Sequence, residues 1–290
     1  MNQNKERKRL PPWLRRRLPH GCAPTASIIE DQQVHTVCQE AKCPNQMECW
    51  AKRTATFLVM GNECTRSCGF CDIAYNKTPK PLDPQEPQRI AESVRQLQLK
   101  HVVITMVTRD DLPDGGANHL VKILEEVRKQ NPNATVEVLT SDFDGNFEAL
   151  QTILESSPEV FNHNVETVRD LSPRVRHRAT YDRSLAILEY VRNHSDIIVK
   201  SGLMVGLGET DQQVQKTLDD LHGVGCDIVT IGQYLQPCSK RLQVKTFITP
   251  EQFINYKKYG LSIGISQMVC GPFVRSSYHA QDLIKNKIHK

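Results

Sequence analysis

The 290-residue chain has no run of 18 or more apolar residues, so no segment reads as a bilayer-spanning helix. Its first residues, MNQNKERKRLPPWLRRRLP, lack the apolar core of a secretory signal. They also lack serine and are frequent in proline, which argues against a transit peptide. There is no internal repeat, and beyond this basic arm no low-complexity tract. The rest of the chain carries no basic stripe of the kind nucleic acid requires. These absences leave neither a membrane nor a nucleic acid as an expected partner.

What is present is ordinary in amount and unusual in arrangement. A hydrophobic share of 39 % and a charged share of 24 % are those of a soluble globular protein. The length suits one large domain with appendages, or two domains. The net charge of +4 conceals an asymmetry: residues 1–20 hold Lys5, Arg7, Lys8, Arg9, Arg15, Arg16 and Arg17 against Glu6, a balance of +6 that leaves −2 for the remainder. The arm reads either as a solvated, disordered segment or as one that steers toward an acidic protein.

Six of the ten cysteines fall between Cys38 and Cys71, as the triplets Cys38, Cys43, Cys49 and Cys64, Cys68, Cys71. Clustering without a secretory signal points to metal ligands in a reducing, cytoplasmic compartment rather than to disulfides. Four cysteines would close a tetrahedral ion, whereas three thiolates on a four-iron cluster leave one iron open. Two triplets therefore suggest two clusters, each with a position for another ligand. A zinc site or unrelated thiols is the alternative.

Hydrophobic periodicity places strands at Thr54–Met60, His101–Val107, Thr135–Thr140, Val160–Asn164, Ile197–Val205 and Ile228–Gln233. Helical patterns follow at Asp83–Leu99, around Leu120–Val127, Phe147–Leu154, Ser184–Val191 and Asp211–Leu221, with a last helix from Pro250 and an apolar run at Ile263–Val269. Residues 21–55 show no clean period. About six strand–loop–helix units predict an α/β parallel sheet, either a partial barrel or a doubly wound sheet. In both, ligands bind at the carboxyl ends of the strands. The second triplet and the loops TRDDLPDGG, FNHNVETV, SGLMVGLGE and GQYLQP lie there.

With a strand before it and Phe70 ahead of its last cysteine, CTRSCGFC resembles the signature loop of the radical S-adenosylmethionine (SAM) enzymes. That resemblance implies a [4Fe–4S] cluster on Cys64, Cys68 and Cys71 whose open iron is chelated by SAM, and SAM cleavage to a 5′-deoxyadenosyl radical. Together with CQEAKCPNQMECW, RDDLPDGGA, HNVETV, KSGLMVGLGE, GPFVRSSYHA and PPWLRRRLP, it closely resembles the lipoyl synthase family from residue 11 to residue 280. The family implies a partial (β/α)6 radical SAM barrel over 54–270, with a cluster-binding extension at 1–53 and a C-terminal RSSY segment at 271–290.

The same resemblance implies an auxiliary [4Fe–4S] cluster on Cys38, Cys43 and Cys49, completed by a serine of RSSY: Ser277, with Ser276 next. A serine on iron is weaker than a thiolate, which suits a cluster consumed as sulfur donor. The implied reaction inserts two sulfur atoms at C6 and C8 of a protein-bound octanoyl-lysine. The implied partners are octanoylated lipoyl-carrier domains, namely 2-oxoacid dehydrogenase E2 subunits and the glycine-cleavage H protein, with reduced ferredoxin or flavodoxin as electron donor. Another two-cluster radical SAM enzyme, such as a methylthiotransferase, and a non-catalytic Fe–S protein are the rivals.

For SAM and substrate the candidates are Asp110, Asp111, Gly115, Gly116, Asn164, Glu166, Lys200, Ser201, Glu209 and Arg275. Carboxylates at a strand end can bind an ammonium, and glycines allow close backbone approach, although DGG alone is more often a turn. The usual Gly-Gly-Glu segment of radical SAM enzymes is absent in that form, and Met106 and Thr108 stand where the family commonly has Ser and Asp. Met106 and Met204 read as core or pocket wall, Cys226, Cys238 and Cys270 as small buried apolar groups, and His163 as structural.

Overall fold

A computed structural model describes residues 9–15 and 24–284. The arm residues Lys5, Arg7, Lys8, Arg16 and Arg17 lie outside them. The described part of the arm is anchored: the Trp13 indole N–H donates to the Ile248 carbonyl at 3.1 Å, and Leu14 is buried.

The cysteine-rich extension, without period in sequence, folds as short pieces. These are α1 (Pro24–Asp31), β1 (His35–Thr36), α2 (Val37–Glu40) and α3 (Gln46–Ala51). Thr36 caps α2 by accepting the Gln39 amide. The chain then enters β2 (Thr56–Val59), and β3 (Glu63–Cys64) and β4 (Ala74–Tyr75) bracket the second triplet's loop.

From there strand and helix alternate: α4 (Glu86–Leu97), β5 (His101–Met106), α5 (Ala117–Gln130), β6 (Thr135–Leu139), α6 (Phe147–Glu155), β7 (Val160–Asn162), α7 (Ser172–Val175), α8 (Tyr181–His194), β8 (Ile198–Val205), α9 (Asp211–Gly223), β9 (Ile228–Gln233), α10 (Pro250–Ser262) and β10 (Gln267–Gly271). The helices start where local chemistry dictates. Thr210 and Gln213 form a reciprocal capping box on α9, Asn146 accepts two amides at the start of α6, and Thr249 caps α10 with Pro250 in its first turn. The apolar run expected at Ile263–Val269 divides, because Ile263 caps α10 and Gly264 at φ +108° turns the chain before β10.

The sheet order is β1-β2-β5-β6-β7-β8-β9-β10, parallel except for the β1–β2 pair. Successive parallel strands are always neighbours. A doubly wound sheet reverses its strand order at a switch point; this one does not, so it winds in one direction as a barrel. Six strand–helix units and a seventh strand fall short of closure, and β1 and β10 remain as edges. The segment after β10 bridges the gap. Asn45 Nδ2 donates to the Phe273 carbonyl at 2.7 Å, Thr56 Oγ1 to Ser277 Oγ at 2.7 Å, and Tyr278 OH to Glu48 Oε1 at 3.1 Å. Lower down, Gln267 Nε2 donates to the carbonyl of Leu283 in α11 (Ala280–Ile284). Helices bury one continuous apolar layer against the outside of the strands.

Candidate functional site

Inside the open barrel lies a cavity of about 710 Å³, lined by Cys38, Cys43, Cys49 and Cys71, by strand residues such as Val103, Leu139, Gly202, Met204 and Thr230, and by Arg275, Ser276 and Ser277. Its floor is polar. Lys200 Nζ stands 2.8 and 3.0 Å from the Glu137 oxygens, Asn162 Nδ2 donates to Glu137 at 2.8 Å, and His101 Nε2 lies 3.5 Å away. Burial disfavours the Glu137 carboxylate, but the Lys200 charge, foremost among the opposing groups, holds it down to about 2.

The first triplet gathers beside the start of β2. Burial pushes the Cys38 thiol up to about 12 and the Cys49 thiol to about 11, and each is raised further by the charge of Cys43. The serines are already sorted. Ser277 Oγ accepts from Thr56, whose backbone also bonds to Cys38, while Ser276 Oγ accepts from Asn164 Nδ2 at 2.7 Å. RSSY can lie this close because β9 carries Gly232 there: any Cβ would overlap the Val274 carbonyl.

The second triplet occupies the loop after β2. Burial and mutual repulsion raise Cys68 to about 12 and Cys71 to about 11. Arg66, buried between Cys64 and Cys68, anchors the loop. Its guanidinium donates to Asp110 at 2.7 and 2.9 Å and to Asp142 at 2.6 Å, so it joins the cluster loop to the ends of β5 and β6. Burial alone would weaken its charge, but these carboxylates raise its pKa. Gly69 runs close to the Leu242 side chain, which a Cβ at that position would meet at 2.9 Å, and Phe70 beside it lines the cavity.

Between the triplets, Asn164 Nδ2 also donates to Glu166 Oε1 at 3.0 Å, and Asn164 Oδ1 is buried without a partner. Glu166 has φ +65°, a strained backbone for a side chain of its size. Burial raises its pKa against the opposing charge of Arg176. Asn164, Glu166 and Arg275, all expected from sequence, thus share the cavity.

The other candidates have different partners. Asp110 is taken by Arg66 and Arg178, and Asp111 by Arg109. Gly115 packs on Phe143 and Gly116 on Met60, and Asp114 caps α5 beside them. Lys200 is committed to Glu137 in the floor. Ser201 alternates to the opposite face from Gly202 and does not line the cavity. The Glu209 carboxylate turns back onto the amides of Gly206 and Leu207. Met204 lines the cavity, whereas Met106 belongs to the outer core. His163 is structural: its Nδ1 meets the Thr140 carbonyl at 3.0 Å and its Nε2 the Ser184 hydroxyl at 2.9 Å. Cys226 is a buried apolar group, but the Cys238 thiol donates to Asp72 Oδ1 at 3.0 Å.

Sequence reasoning missed Arg66, Thr56, Arg176 and the Lys42–Asp72 pair. Arg176 is buried, donates to the Asn164 carbonyl at 2.9 Å, and is depressed by burial despite the charge of Glu166. Immediate adjacency to a cysteine was the available signal for Lys42 and Asp72.

Comparison with known proteins agrees with this arrangement. The radical SAM superfamily matches residues 58–221. Lipoyl synthase of Protochlamydia amoebophila is 60 % identical over 277 residues, covering 94 % of this chain and 86 % of that protein. Lipoyl synthase of Chlamydia caviae is 51 % identical over 286 residues, covering 98 % and 91 %. The chain belongs to the lipoyl synthase family. Among solved structures, methylornithine synthase superposes with a TM-score of 0.54 at 12 % identity, over 89 % of this chain and 85 % of that one. SuiB of Streptococcus suis bound to its precursor peptide gives 0.57 at 13 %, over 74 % of this chain and 48 % of that one. These two likenesses establish the radical SAM barrel fold.

The cofactors of the family are [4Fe–4S] clusters and SAM, and the residues fit them. Each triplet is close enough for its sulfurs to perturb one another.

Proposed function

We propose that this chain performs the family's reaction in the barrel cavity: insertion of two sulfur atoms at C6 and C8 of an octanoyl chain amide-linked to a carrier lysine. In this reading Cys64, Cys68 and Cys71 hold the cluster that binds SAM. Cys38, Cys43, Cys49 and Ser277 hold the auxiliary cluster that donates sulfur. Such clusters with SAM supply a carbon radical able to take hydrogen from an unactivated C–H bond.

The chain's own residues supply position and dryness. Val103, Leu139, Leu203 and Met204 offer an apolar wall for an alkyl chain. Asn164, with its unpartnered oxygen, Glu166 and Arg275 offer polar groups toward the second triplet. Phe70 lines the cavity beside Cys71 of that triplet. Ligation replaces thiol protons held at about 11 to 12 in Cys38, Cys49, Cys68 and Cys71, so cluster binding releases protons.

One observation carries the assignment of the fourth ligand. Ser277 meets Thr56 beside Cys38, across 221 residues of sequence, while Asn164 claims Ser276. Octanoylated lipoyl-carrier domains are the macromolecular partners in this reading, with a reduced ferredoxin or flavodoxin as electron source and the cytoplasm as the compartment. Among the described residues, no helix is long and apolar enough to cross a membrane.

Mass spectrometry of an octanoylated carrier peptide after a single turnover tests the proposal. Wild-type protein is expected to give mono- and di-thiolated products. Ser276→Ala should retain them and Ser277→Ala should abolish them. Absence of thiolated product from wild type refutes the reaction, and full activity of Ser277→Ala refutes the ligand.

A further inference from the structure

The turn that delivers β2 into the cysteine loop is held by groups the reaction does not touch. Val59 ends β2, and the next two residues adopt left-handed backbone: Met60 at φ +69° and Gly61 at φ +85°. Such a conformation at a methionine persists only where its surroundings enforce it. Three elements do so here.

From the first turn of α4, the buried Glu86 carboxylate accepts the Met60 N–H at 3.0 Å with both oxygens and the Gly61 N–H at 3.4 Å. From α5, the buried His119 approaches Glu86 Oε2 through Nε2 at 2.7 Å. An ionised carboxylate only accepts, so that nitrogen carries the proton. From the RDDLPDGG loop, Gly116 leaves room for the Met60 side chain, since a Cβ there would overlap its sulfur and stand 2.8 Å from its methyl carbon. The DGG sequence thus has a use other than ligand binding: it seats Met60.

We propose that Glu86, oriented by His119, is a positioning residue for the cluster on Cys64, Cys68 and Cys71. Only Asn62 and Glu63 separate Gly61 from Cys64, so the direction of this turn sets where the first thiolate points. A charged acceptor on two successive amides fixes that direction. The inference rests on the assignment of this triplet to a cluster. It predicts that Glu86 acts on the second triplet and not on the first, as outer-shell groups act on the ligands they orient.

The test uses the full chain reconstituted with iron and sulfide in two backgrounds: Cys38, Cys43 and Cys49 all changed to Ala, or Cys64, Cys68 and Cys71 all changed to Ala. If the first background binds no cluster with Glu86 intact, the assignment of the triplet fails, separately from the role of Glu86. In that background Glu86→Gln is expected to weaken iron binding about tenfold and to diminish the change SAM causes in the reduced cluster's electron paramagnetic resonance spectrum. In the other background it should leave iron binding unchanged. His119→Ala should reproduce the defect, and His119→Gln, which can still donate to Glu86, should restore binding.

Wild-type cluster binding by Glu86→Gln overturns the proposal, as does equal loss in both backgrounds alongside a lower unfolding temperature. If Glu86→Gln does not fold, Gly61→Ala decides. Its Cβ meets nothing within 4 Å, so it perturbs the turn through backbone alone. Selective loss at the second triplet supports the proposal, and unchanged spectra overturn it.

Discussion

Lys42 Nζ stands 2.6 Å from Asp72 Oδ2, and each residue adjoins a cysteine of a different triplet. Lys42 precedes Cys43 and Asp72 follows Cys71, so one ion pair ties the two cysteine loops together. Asp72 also accepts from the Cys238 thiol at 3.0 Å and lies 3.6 Å from Arg241 Nε. The Lys42 hydrogen bond and the Cys238 thiol both lower its pKa. An exposed lysine contributes little to stability by such a pair, so its effect is on distance. Asp72→Ala is expected to bind both clusters normally yet lower the sulfur inserted per 5′-deoxyadenosine formed by about tenfold, since small misplacements of reacting groups are costly. Quantifying both products in one reaction checks this, and an unchanged ratio refutes it.

Gly232 makes a second separable prediction. Its missing Cβ admits the Val274 carbonyl, and with it the RSSY segment. Gly232→Ala should push that segment outward and release the auxiliary cluster while sparing the other. Iron analysis should then find about half the wild-type content, with the SAM-dependent signal intact.

The buried Lys200–Glu137 pair gives a prediction on stability. Lys200→Met leaves Glu137 without its cation and should cost roughly 3–5 kcal/mol. Changing Glu137 to Met as well should recover most of that loss, because the uncompensated charge then disappears. Urea unfolding of the single and double variants distinguishes this from a simple packing defect, in which the losses would add.

Acid should destabilise the fold in two stages. Burial and the nearby Arg176 hold His163 down to about 4, against 6.5 when unperturbed. Between those values the unfolded chain binds the additional proton, so stability falls as pH falls, by about 3 kcal/mol across the window. Glu137, lowered from 4.5 to about 2, extends the loss below pH 4.5, with the same sign. His163→Gln should flatten the upper stage alone, which unfolding midpoints at pH 7, 5.5 and 4.5 will reveal.

Much of the architecture is legible locally. Most barrel strands are short β-branched runs, and the periodicity changes visibly between strand and helix, so the six strand–helix units can be read in order. The winding cannot, because it depends on which strands are neighbours. Cysteine spacing isolates the two triplets, but the groups that orient them are remote. Arg66 finds Asp110 across 44 residues and Asp142 across 76. Asp110 and Asp111 show the converse: their arginine partners, Arg66 and the adjacent Arg109, were not legible as such. That Asn164 and Glu166 line the cavity was legible because their loop follows a strand of the right kind. Arg176 was hidden in a basic run that resembles a solvated surface.

The bridge across the open barrel also imposes an order of assembly. All three cysteines proposed for the radical cluster lie within one short loop, complete as soon as β2 and its neighbours pair. The proposed auxiliary site needs Thr56 and Ser277 to meet across 221 residues, a contact of long range that forms late. Ser277 is also synthesised after every barrel strand. In the proposed assignment, a chain interrupted before Ser277 would carry the radical-generating half of the chemistry without a finished sulfur store.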